Sequence, residues 1–112
     1  MNSSRYFPKK HRINFRKNLR IGRRIKVKGV EVVVVENKNI SSSEPGVIIS
    51  KRISNLAVVR NKYRRRLKEV FRLDFRGLKN KEIIFLANEK ILDLDFNRMR
   101  KELLIARKQI TR

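Results

Sequence analysis

Hydrophobic positions recur along this chain at helical steps in some stretches and at alternate or consecutive positions in others. In "INFRKNLRIGRR" (residues 13–24), Ile13, Phe15 or Arg16, and Leu19 stand near helical spacing, and Gly22 offers a stop, so a short first helix is expected. "IKVKGVEVVVVE" (25–36) alternates at Ile25 and Val27 and ends in consecutive valines, which suits strands buried on at least one face. "ENKNISSSEPG" (36–46) gathers Ser, Asn, Pro and Gly and predicts a mobile loop, read as a hairpin link. "GVIIS" (46–50) predicts a short strand, and "EIIFLA" (82–87), after the turn "RGLKNK", another. "LDFNRMRKELLIARKQI" (94–110) puts Phe96, Met99, Leu103, Ala106 and Ile110 at steps of three and four, with Asp95 as N-cap of a last helix.

Between those two strands, "AVVRNKYRRRLKEVFR" (57–72) predicts an amphipathic helix. At about 100° per residue, Leu56, Val59, Tyr63, Leu67, Val70 and Phe71 share one side. Arg60, Asn61, Arg64, Arg65, Lys68 and Arg72 fill the neighbouring sector, and Lys62 and Arg66 flank the other edge. Glu69 is the only acid between Lys51 and Phe71, so most exposed pairs one turn apart repel by roughly 0.2–0.5 kcal/mol each. An external anion must compensate. Phosphate fits, because the planar guanidinium fork matches two phosphate oxygens and a row of forks tracks a backbone.

Composition supports that direction. The 112 residues suffice for one core, so one domain spanning 1–112 is expected, with residues 1–12 a basic, flexible leader. Hydrophobic residues make up 40 % of the chain and are patterned, which rules out a disordered tail; 31 Lys and Arg against 10 Asp and Glu leave a net charge of +21 that calls for a polyanion. Cysteine is absent and His11 is the only histidine, so neither a disulfide framework nor a thiolate or imidazole metal site is available. No apolar run reaches membrane-spanning length, and a cytoplasmic home with no membrane partner is expected. The carboxylates are scattered, Asp93 and Asp95 read as the start of a helix, and no nucleophile–base–orienter trio exists, so no catalytic residue is assigned.

"SKRISNLAVVRNKYRRRLKEVFR" (50–72) resembles the signature of the bacterial ribonuclease P protein component, in which a Ser-Lys-Lys/Arg strand end leads into a helix carrying Ala-Val-x-Arg-Asn and further basic pairs. Ser50, Lys51 and Arg52 match the strand end, Arg60 and Asn61 the central pair, Arg64 and Arg65 the next, and Lys68 with Glu69 the last; Arg66 extends the run. Upstream, Pro8 to Gly22 is similar to the family's opening, with Phe15 at its aromatic position; Leu19 and Val33 stand where many members have Phe and Tyr.

The resemblance implies an α+β fold, a single two-layer sandwich with a mixed, roughly four-stranded sheet in the order α-β-β-(β)-α-β-α. It also implies a left-handed βαβ crossover, against the right-handed rule that holds in ~98 % of cases. Functionally it implies the protein subunit of a ribozyme whose RNA cuts the 5′ leader from precursor tRNA, with magnesium required by the RNA and no cofactor held by the protein. The implied RNA-binding residues are Lys51, Arg52, Arg60, Asn61, Arg64, Arg65, Arg66, Lys68 and Arg72; the implied leader cleft comprises Phe15, Leu19, Val33 and Ser50. Phe15 and Leu19 fit equally a helix's core face. The competing function is a structural ribosomal RNA-binding protein, equally small and basic. A DNA-binding role is weaker, since no dimer interface or helix-turn-helix partner is visible.

Overall fold

The computed structural model describes residues 13–40 and 45–110. The leader 1–12 and residues 41–44 of the expected mobile loop lie outside them. Element order is α1 (Phe15–Ile21), β1 (Arg23–Val27), β2 (Val30–Glu36), β3 (Gly46–Ile48), α2 (Ala57–Val70), β4 (Lys81–Ala87) and α3 (Phe96–Ile110), with a π-helical turn at Phe71–Phe75 and a 3-10 turn at Glu89–Asp93.

The four strands form one sheet in the order β1-β2-β4-β3. β1 and β2 are antiparallel, closed by a tight turn in which Gly29 takes φ 85°, and β2 and β4 are antiparallel with Val33 opposite Ile84. β3 runs parallel to β4 and is joined to it through α2. The mixed α+β sandwich is therefore the fold. Residues 36–46 do not make a hairpin, however: β4 inserts between β2 and β3, so the strands the segment joins are not neighbours. Its start is anchored there, with the Asn37 N–H donating to the Asn80 carbonyl at 2.8 Å and Asn80 Nδ2 donating to the Ile40 carbonyl at 2.5 Å.

Strand alternation divides the core in two. Ile25, Val32, Val34, Ile83 and Phe85 point to the face covered by α2 and α3, where Tyr63, Leu67, Val70, Met99, Leu103, Ala106 and Ile110 join them. Phe71, Phe75 and Phe85 form an aromatic cluster there, Phe75 meeting Phe85 edge-on at 5.2 Å. Val33 and Ile84 point to the opposite face and are fully buried although they lie outside that cluster. Their cover is α1. Consecutive valines are thus buried because one strand serves two layers.

The last helix matches its periodicity, and Asp95 caps it: its Oδ1 accepts from the Arg98 N–H at 2.8 Å. In α2 the apolar stripe holds from Val59 to Phe71, but Leu56 is the N-cap residue, extended and 60 % exposed, not part of the stripe. Helical phase is set only once the chain is helical, and Leu56 precedes that point.

Candidate nucleic-acid interface

Burying Tyr63, Leu67 and Val70 fixes the rotation of α2 and turns its basic residues outward. Asn61, Lys62, Arg65, Lys68 and Arg72 are exposed, as are Lys51 and Arg52 in the turn after β3. Arg60, Arg64 and Arg66 are half-buried. Each of the three has an internal role. Arg60 Nη1 donates to the Ser54 carbonyl at 2.8 Å, tying the helix to the loop that precedes it. Arg64 Nη1 donates to Asn61 Oδ1 at 2.9 Å, which aims both side chains. The Arg66 guanidinium lies 5.5 Å from the Tyr63 ring centre, within cation–π range. Arg72 is ion-paired with Glu69 one turn back. That hydrogen bond holds the Glu69 carboxyl below its usual range and raises the Arg72 guanidinium, so an incoming phosphate at Arg72 competes with a carboxylate already in place. Arg65 and Lys68 have no such rival on their own helix.

The four residues assigned to a leader cleft differ in exposure and in place. Val33 has no exposed surface: it is packed beneath the end of α1, and its side chain meets no solvent. Phe15 is 40 % exposed, its ring lying against Gly46 at the start of β3. Leu19 is half-buried, and its carbonyl accepts from Arg24. Ser50 is exposed beyond the other end of β3, roughly 13 Å along the strand from Gly46. The outer face of the sheet is thus half roofed by α1 and half open.

A buried polar contact sets where the roof sits. Asn18, the one buried residue of α1, donates through Nδ2 to Glu82 Oε1 at 3.2 Å, while Asn37 Nδ2 donates to Glu82 Oε2 at 3.0 Å. The periodicity of 13–22 drew attention to Phe15 and Leu19 and missed Asn18, since a polar residue carries no weight in an apolar pattern.

On the open half, Lys26, Glu31 and Leu86 lead into a groove of about 1210 Å³ that continues along Lys28, Ser50, Arg52, Asn88 and Lys90. Glu31 is paired with both Arg24 and Lys26, so its carboxylate is already neutralised. Lys26, Lys28 and Lys90 were not singled out in the sequence. The alternation of Ile25 and Val27 implied that Lys26 points the other way, but only the β2–β4 pairing brings β1 and the turn after β4 to one groove. Among the described residues, no group of three or more His, Asp or Glu is placed to hold a metal ion. Nor is any described helix long and apolar enough to cross a membrane.

One small domain thus presents an arginine-faced helix and a half-roofed, basic-rimmed sheet face. The family model of ribonuclease P matches residues 7–111. The chain belongs to the ribonuclease P family. Its fold is that of the ribonuclease P protein from Staphylococcus aureus, 24 % identical, with 90 % of this chain and 94 % of that one aligned at a TM-score of 0.78. The ribonuclease P protein from Thermotoga maritima is 22 % identical over 88 % of this chain and 94 % of that one, TM-score 0.76. A mutant of the S. aureus protein is 25 % identical over 93 % and 91 %, TM-score 0.73. No curated protein matches the sequence itself.

Proposed function

We propose that this chain is the protein subunit of a ribonuclease P whose RNA removes the 5′ leader of precursor tRNA. The catalytic RNA binds the outward face of α2, and the leader lies along the open half of the sheet, from Phe15 across Ile48 and Leu86 toward Ser50 and Arg52. The observation that carries this is the one-sided charge of α2: a row of Arg and Lys with Glu69 as its only acid, held outward by a buried apolar stripe. The protein acts by binding and positioning, and the magnesium ions of the hydrolysis are held by RNA.

Reconstitution with the cognate RNA and a precursor tRNA at low magnesium tests this. Leader cleavage is expected to rise when the protein is added. Sedimentation wholly with ribosomal subunits, with no effect on cleavage, favours the structural ribosomal role instead. Phe15→Ala is expected to weaken precursor tRNA binding more than mature tRNA binding, by roughly 1–3 kcal/mol per stacked base, while leaving RNA assembly unchanged. An unaltered ratio with a normal fold refutes the leader path.

A further inference from the structure

The most deeply buried side chain of α1 is polar. Asn18 is the helix's one buried residue, whereas Phe15 is 40 % and Ile21 53 % exposed. Among the described residues, Asn18 and Glu82 are the two buried polar or charged ones, and they meet each other: Asn18 Nδ2 donates to Glu82 Oε1 at 3.2 Å. The other carboxylate oxygen accepts from Asn37 Nδ2 at 3.0 Å. An apolar pair at positions 18 and 82 would hold α1 down without desolvating an amide and a carboxylate, so stability alone does not call for this contact. Its hydrogen bonds are directional, and they fix one arrangement of helix on sheet.

What the contact fixes is the place of Phe15. Asn18 follows Phe15 by three residues, so both lie on one side of this two-turn helix. Their counterparts on the sheet are neighbours too. Glu82 and Ile84 share the outer face of β4, and Ile84 is paired with Gly46, against which the Phe15 ring lies. A Cβ on Gly46 would stand 2.7 Å from Phe15 Cε1 and 3.1 Å from Ile84 Cγ1, so the ring is seated on bare backbone beside Ile84. The second arm of the carboxylate reaches the same place along the chain, since Asn37 lies at the start of the segment that ends at Gly46. Glu82 thus holds both the helix that carries the ring and the start of the segment that carries its seat.

We infer that Glu82 is a positioning residue for precursor tRNA: by holding Asn18 and Asn37 it sets the height and tilt of the Phe15 ring, and with them the fit of a leader base stacked on that ring. This rests on the leader path proposed above. At 6 % exposure Glu82 acts through the ring and not on the RNA. Stacking depends on the offset and separation of the two faces, so a helix that shifts on the sheet weakens the contact while the domain stays folded.

The test is the ratio of Kd for mature tRNA to Kd for precursor tRNA, measured on the holoenzyme with Glu82→Gln. The amide keeps the shape and one acceptor but turns its NH2 toward one of the two asparagine donors, so one arm of the contact is lost. The ratio is expected to fall roughly threefold to tenfold, part of what loss of the ring costs, with affinity for the ribonuclease P RNA unchanged. Adding Asn18→Asp is expected to restore it, because the new carboxylate accepts from the new amide and both arms are rebuilt. In a Phe15→Ala background, Glu82→Gln is expected to change the ratio no further. Asn18→Ala, which cuts the α1 arm alone, is read in the same way and carries the test if Glu82→Gln does not fold. A lowered Tm with a wild-type ratio makes the contact purely structural and overturns the positioning role, as does an equal fall in the ratio with and without the Phe15 ring. If Phe15→Ala by itself leaves the ratio at the wild-type value, the leader path falls and the positioning role with it.

Discussion

At Gly22 the chain leaves α1 and passes directly over β2. Its backbone is extended (φ −71°, ψ 148°), a conformation open to any residue, so the expected stop signal works here through space. A Cβ would sit 2.4 Å from Val33 Cγ1 and 2.6 Å from the Asn18 carbonyl oxygen. Gly22→Ala is therefore expected to destabilise the protein by about 1–3 kcal/mol in denaturant unfolding, by pushing α1 off the sheet. Individual arginines also differ in what they do. Arg60→Ala is expected to lower both thermal stability and RNA affinity, since it cuts the link to Ser54, whereas Arg65→Ala should lower RNA affinity alone. Each should reduce the salt slope of binding by somewhat under ~1 for every phosphate that is no longer neutralised. Melting curves beside binding isotherms separate the two.

The phase of α2 was legible as an element because its apolar residues repeat over nearly four turns and the buried set Tyr63, Leu67 and Val70 follows that repeat. Leu67→Ala is expected to destabilise by roughly 2–5 kcal/mol and Lys68→Ala hardly at all, measured by chemical denaturation. The π turn was not legible. Its wider winding brings Phe71 and Phe75 to the same partner, Phe85, and that packing exists only once β4 is in place. The same turn carries Asp74, whose carboxylate accepts from Arg100 Nε at 2.9 Å and Nη2 at 2.8 Å, joining it to α3. That pairing holds the Asp74 carboxyl below its usual range. The stability it adds is present above the unfolded-state value of about pH 4 and is lost as pH falls through the lower folded-state value. Asp74→Asn is expected to lower Tm at neutral pH and to flatten its fall on acidification below about pH 4. With Arg100 38 % exposed, solvent screening keeps the neutral-pH loss small.

For the whole molecule, charge dominates. A net +21 on a chain of 112 residues stores self-repulsion in the folded state, so Tm is expected to rise with ionic strength and further with a multivalent anion at equal ionic strength. Scanning calorimetry in chloride and in polyphosphate checks it; a Tm indifferent to both would mean that the cations are too spread to interact. The internal acids soften the repulsion locally. Glu31 neutralises Arg24 and Lys26, Glu36 accepts from Lys81, and Glu69 holds Arg72, whereas the exposed Lys62, Arg65 and Lys68 of α2 have no carboxylate partner among the described residues.

The amino-acid pattern by itself determined the amphipathic helix with its cationic face, the apolar strands, the Asp95-capped last helix and the want of a polyanion, because each depends on residues within a few turns of one another. The ordered run from Ser50 to Arg72 carried the family as well, through residue types at fixed spacing. What only the tertiary structure decided are matters of which distant segments meet. The insertion of β4 between β2 and β3 separated the two strands of an expected hairpin. Val33 and Leu56 exchanged places with respect to solvent, one sealed under α1 and the other left open before α2, because exposure depends on the neighbour that covers a residue and not on its own polarity. The latch of Asn18 on Glu82 spans 64 positions, and the groove from Lys26 to Lys90 spans as many; pairings at that separation leave no local periodicity for a sequence to display.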